Sequence, residues 1–109
     1  MLPTVFISYS NTNALIAQQL RQRLGSAGIF VWIDHERLTP GTPDWEEAIR
    51  KGIQASDALV YLASPRARES SYVKSELLLA QRYGRRILPL WIQGTHWIDA
   101  APLFIGATQ

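Results

Sequence analysis

The 109-residue chain contains no cysteine. That excludes disulfides, thiolate metal centres, iron–sulfur clusters and a thiol nucleophile. Histidine is scarce. His35 and His96 alone cannot build a metal site without carboxylates brought from elsewhere, so no metal is expected. Long apolar runs are missing as well: residues 29–33 and 87–92 are too short to cross a bilayer. No basic-then-apolar leader opens the chain, and a β-rich run starts at Thr4. The expectation is a cytoplasmic protein with no membrane partner. Glycine-rich phosphate loops are absent too. Ser8-Tyr9-Ser10-Asn11 follows the first apolar run, where a dinucleotide fold or a P-loop would place glycines. A phospho-receiver domain would need an acidic cluster there and an aspartate closing the third run, which instead ends on Ala63-Ser64.

Charge is sparse, at 18% of residues, with a net +2. Nine of the eleven basic residues are arginine, and Arg66, Arg68, Arg82, Arg85 and Arg86 cluster late. No helix-turn-helix, RNA-recognition or zinc pattern accompanies them, so nucleic acid is not expected as a partner. A solvated face, or one meeting a protein or an anionic small ligand, fits better. Apolar residues make up 47%, enough for one buried core and too many for intrinsic disorder.

Apolar runs alternate with helical patterns. Residues 4–8, 29–33, 57–63 and 86–92 read as strands. Residues 14–24 read as a helix with Ile16, Leu20 and Leu24 on one face and Ala17 beside them. Thr12 or Asn13 is placed to cap its start, and Gly28 to end it. Thr42 and Pro43 suit the start of a second helix, whose stripe is Trp45, Ile49 and Ile53. Residues 64–70 read as a loop. A third helix covers residues 71–83, with Val73, Leu77 and Ala80 inward and Gly84 at its end. Nearly all-apolar strands alternating with helices predict an α/β domain whose parallel sheet is covered on both faces. Pro89 conflicts with the fourth strand and is expected near its end or at an irregularity.

Five segments, in this order, resemble the successive boxes of a TIR (Toll/interleukin-1 receptor) domain. They are TVFISYS at 4–10, VWIDHERLTPG at 31–41, SDALVYLAS at 56–64, YVKSEL at 72–77 and ILPLWIQG at 87–94. Together they span most of the chain, and the P-G-x-P-D-W form of residues 40–45 looks bacterial. The resemblance implies a flavodoxin-like three-layer fold, with strand order 2-1-3-4-5 and the first strand central. It implies that residues 34–43 form the BB loop, which governs assembly and access to the site. Asp34, Arg37, Leu38, Pro40, Gly41 and Trp45 are its candidate assembly residues. Trp45 also fits its helix's core stripe, as Trp91 and Trp97 fit packing positions. TIR domains continue through a fifth strand and a closing helix, which this sequence does not reach. The expectation is therefore a single domain cut short, a fragment of a longer multidomain protein. The open edge left behind favours self-association.

The resemblance also implies an activity. Many bacterial TIR domains cleave NAD⁺ at the nicotinamide–ribose bond. Their catalytic glutamate follows an aromatic or hydrophobic residue by four positions, on the helix after the third strand. Here the pair is Tyr72 and Glu76, with tyrosine where the family more often has tryptophan. Residues four apart share a helix face. In the implied strand order, that helix starts beside the crevice between strands 1 and 3, where ligands of such sheets bind. Ser8, Tyr9, Ser10, Asn11, Asp34 and Ser71 are the candidate substrate-binding residues, with Ser70 and Ser71 at a helix start suited to phosphate. Some active relatives carry a basic residue where this chain has Ser10 and Asn11. No cofactor is implied, because NAD⁺ is the substrate, consumed to ADP-ribose or a cyclic ADP-ribose in immune defence or signalling. The alternatives are a non-enzymatic module for homotypic TIR contacts and a nucleotide-sensing domain without catalysis. Read without the resemblance, Glu76 is an ordinary surface glutamate on an amphipathic helix.

Overall fold

Four short apolar segments become strands: Thr4–Ser8 (β1), Phe30–Trp32 (β2), Ala58–Ala63 (β3) and Arg86–Trp91 (β4). In this computed structural model, which describes residues 3–33 and 45–93 (45 and 46 by their backbone alone), they pair in parallel in the order β2-β1-β3-β4. The first strand is central, as expected. Val5 is in register with Val31 and Ala58, and Ser8 with Tyr61. β3 is buried at every position. It begins at Ala58, one residue later than expected, and Asp57 just before it is tied to the start of β1: its carboxylate accepts from the Thr4 N–H at 2.8 Å and its own N–H donates to the Thr4 carbonyl at 2.7 Å.

The helices are Ala14–Ser26 (α1), Trp45–Ala55 (α2), Pro65–Glu69 (α3) and Ser71–Arg82 (α4), with a 3-10 turn at Asn11–Asn13. α2 and α4 cover one face of the sheet. Ile49, Ile53, Val73, Leu77 and Ala80 pack there against Phe6, Leu59, Tyr61 and Ala63. α1 lies on the other face, where Ala17, Leu20 and Leu24 meet Ile7, Tyr9, Val60 and Leu62. The α1 stripe is thus centred on Ala17, and Ile16, expected inside, is exposed at its margin. α1 and α4 end alike. The N–H of Ile29 reaches the Leu24 carbonyl and that of Arg85 reaches Ala80, around Gly28 and Gly84 with φ of 86° and 69°.

Two expectations need correction. Residues 64–70 are not all loop, because Ser64 caps α3, its hydroxyl accepting from the Ala67 N–H with Pro65 in the first turn. Pro89 sits inside β4 without disrupting it, in register with Tyr61. Ile92 donates to the Ala63 carbonyl at 3.0 Å. Donors to one neighbour alternate along a parallel strand, so residues 88 and 90 also face β3, and the Pro89 nitrogen faces away, where it interrupts no pairing among the described residues.

Candidate active site

β1 delivers Ser8 to the carboxyl edge of the sheet, on the same face as Phe6 and beneath α4. α4 carries a buried stripe of Val73, Glu76, Leu77 and Ala80. Three of these are apolar. The fourth, Glu76, is 1% exposed, and its Oε1 accepts a 2.7 Å hydrogen bond from the Ser8 hydroxyl. A buried glutamate needs such a partner, because removing a carboxylate from water without one is costly. The reading of Glu76 as a solvated surface residue therefore fails. Beside Ser8 on the same sheet face lies Tyr61, fully buried. Burial pushes its phenol well above the usual tyrosine range, and the Arg68 charge only partly offsets this, so Tyr61 is a neutral hydroxyl at physiological pH.

The other candidate residues divide. Tyr72 is on the first turn of α4 and 38% exposed, at the margin of the stripe that contains Glu76. Ser71 is exposed, and the Ser70 hydroxyl accepts from the Val73 N–H at 3.3 Å, so one amide of this helix start is already engaged. Ser10 caps the 3-10 turn, its hydroxyl accepting from the Thr12 N–H at 3.3 Å, and Asn11 is exposed. Tyr9 points to the opposite layer. The alternation of β1 carries on past Ser8 and buries the Tyr9 ring among Ile7, Ala17 and Ile33, away from Glu76. Trp91, expected to pack, is half exposed, its indole N–H donating to the Gln93 carbonyl. Asp34, Arg37, Leu38, Pro40, Gly41, Trp97 and the Trp45 side chain lie outside the described residues, as do Thr42 and Pro43.

The TIR-domain family profile matches residues 5–108. The chain belongs to the TIR-domain family. Among solved structures, it is similar to the TIR domain of the Toll-related receptor TRR-2 from Hydra magnipapillata, with a TM-score of 0.78 and 21% identity over 96% of this chain and 79% of that one. It is also similar to the TIR domains of the activated Roq1 resistosome, with a TM-score of 0.64 and 22% identity over 80% of this chain and 55% of that one. A 2-deoxyribosyltransferase from Leishmania mexicana shares the fold at a TM-score of 0.67 and 19% identity, over 81% of this chain and 63% of that one. The chain thus spans less than two thirds of the length of the last two. No curated protein sequence matches it.

The TIR domain also holds a polar chain that its sequence motifs do not announce. The Ser64 hydroxyl donates to the Asn13 side-chain oxygen at 2.8 Å, and the Asn13 amide donates to Gln93 at 3.3 Å. This links the segments following β1, β3 and β4 at the carboxyl edge. Asn13 precedes α1 but makes no side-chain cap, because its amide is turned to Ser64 and Gln93. The sequence offers only Ser10-Asn11-Thr12-Asn13 after β1 and a single Ser64 after β3, a pattern that also describes any turn. Among the described residues no group of three or more histidine, aspartate or glutamate side chains could hold a metal. No described helix is long and apolar enough to cross a membrane.

Proposed function

We propose that this TIR domain is an NAD⁺ glycohydrolase, acting in the cytoplasm in bacterial immune defence or signalling and switched on by homotypic assembly. The observation that carries this reading is a Glu76 carboxylate held by the Ser8 hydroxyl at the carboxyl edge of the sheet. The C1′–nitrogen bond to nicotinamide breaks with its electron pair going to the ring nitrogen. Nicotinamide leaves neutral, so no general acid is required. The ribosyl centre becomes oxocarbenium-like, and a fixed carboxylate beside it stabilises that charge. Water then adds at C1′ and loses a proton, giving ADP-ribose. Attack by a nucleophile within the same molecule gives a cyclic product instead. Tyr72, partly exposed four residues before Glu76, supplies an aromatic face for nicotinamide. The BB loop, residues 34–43, contributes assembly contacts and gates the site.

The fold likeness to a 2-deoxyribosyltransferase fits sugar transfer on such a scaffold, though it bears on the fold alone. One observation favours the non-enzymatic alternative. Glu76 is so fully enclosed that a structural carboxylate would look the same. NAD⁺ consumption by the wild-type chain at high protein concentration separates the two. Release of nicotinamide supports the glycohydrolase, and intact NAD⁺ under assembling conditions supports the interaction module.

A further inference from the structure

Ser8 stands among the residues expected to meet substrate, yet its surroundings give it another task. Its hydroxyl carries a single proton, and that proton is directed to Glu76 Oε1 at 2.7 Å. With that proton engaged by Glu76, the hydroxyl has none left to offer an arriving phosphate. Both partners stand on fixed frames. Ser8 closes β1 in register with Tyr61 of β3, and Glu76 sits in the packed stripe of α4 between Val73 and Ala80. Packing restrains the first torsions of the glutamate side chain. Its last torsion, which turns the carboxylate plane, is intrinsically broad. A donor on a rigid strand fixes that rotation.

The energetics point the same way. An apolar residue at position 76 would complete the stripe without burying a charge, and such replacements of buried polar pairs are often neutral or stabilising. The serine–glutamate pair is therefore weak evidence of stabilisation, which leaves room for a role in orienting the carboxylate. We propose that Ser8 is a positioning residue for the Glu76 carboxylate, setting its orientation towards the ribosyl centre and making no contact with NAD⁺. The proposal rests on the glycohydrolase reading above.

The test compares Ser8→Ala, Ser8→Val and Ser8→Thr, with Glu76→Gln and the Ser8→Ala/Glu76→Gln double variant, at a protein concentration where the wild type turns over NAD⁺. Valine and threonine have the same shape and differ only in the hydroxyl. Ser8→Ala and Ser8→Val should lower kcat at least about tenfold with KM changed less than about twofold, the signature of an interaction realised in the transition state. Ser8→Thr should stay within about threefold of wild type. The double variant should turn over no more slowly than Glu76→Gln alone, because Ser8 acts only through that carboxylate. Equal rates for Ser8→Val and Ser8→Thr, a rise in KM with kcat unchanged, or a further loss in the double variant would each overturn the positioning role. If valine and threonine both fail to fold by circular dichroism, Ser8→Ala against wild type decides. A wild type that leaves NAD⁺ intact sinks the glycohydrolase reading and this role with it. An active wild type, an inactive Glu76→Gln and an indifferent Ser8→Val sink the positioning role alone.

Discussion

Ser8 and Glu76 are 68 residues apart in the chain, and the 2.7 Å hydrogen bond between them joins the carboxyl end of the central strand to the second turn of α4. Tyr61 lies beside Ser8 on the same face, Tyr72 marks the exposed margin of the helix, and Tyr9 is turned into the other layer.

Gly52 lies on the face of α2 that packs against the sheet. A Cβ there would stand 3.1 Å from two Trp32 ring carbons and 3.3 Å from Phe6. Gly52→Val should destabilise the domain by about 2 kcal/mol or more through overpacking. Gly52→Ala should cost less, because its gain in helix propensity of about 1 kcal/mol offsets part of the clash. Urea unfolding reads both. A valine variant as stable as wild type would show that the helix shifts freely.

Two other glycines should respond in opposite directions. Gly25 lies in α1, and a Cβ there meets nothing within 4 Å, so Gly25→Ala should stabilise by up to about 1 kcal/mol. Gly84 has equally open surroundings but φ of +69°, so Gly84→Ala should destabilise by about 1 kcal/mol. Melting temperatures that move in the same direction would contradict this.

Tyr61 predicts an alkaline limit to stability. Its phenol is raised by burial, so above about pH 10 the unfolded chain ionises it while the folded chain keeps the proton. The unfolded state then binds fewer protons, and stability falls as pH rises. Below about pH 10 the contribution is fully present. Tyr61→Phe should flatten the decline in urea midpoints between about pH 9 and pH 11. An identical slope in both proteins would place the cause elsewhere.

The fold was largely legible because its signal is local. All-apolar runs at Val5–Ile7 and Leu59–Leu62, separated by stripes such as Val73–Leu77–Ala80, admit few arrangements other than a covered parallel sheet. The α3 turn is not legible, because Ser64-Pro65 serves a short helix as well as it serves a loop. The place of Pro89 is not legible either, because its tolerance depends on which neighbour its nitrogen faces. Within the site, the four-residue spacing located Tyr72 and Glu76 on one helix. It could not reveal their unequal exposure, which depends on how α4 is rotated against the sheet. Adjacency in sequence puts Tyr9 with Ser8, whereas strand alternation sends the two to opposite layers. The Ser8–Glu76 bond and the Asn13–Ser64–Gln93 chain join distant segments of sequence, and no local pattern encodes them.

The most direct measurement is NAD⁺ turnover by Glu76→Gln against wild type, in the assembled protein, with both variants shown to be folded. Glutamine keeps the size of the side chain and can still accept from Ser8, but it removes the charge that would stabilise the oxocarbenium. Turnover should fall about a hundredfold or more, the scale of losing one electrostatic stabiliser, with thermal stability little changed. Equal turnover by the two proteins would contradict the catalytic assignment of Glu76 and leave the domain as an assembly module.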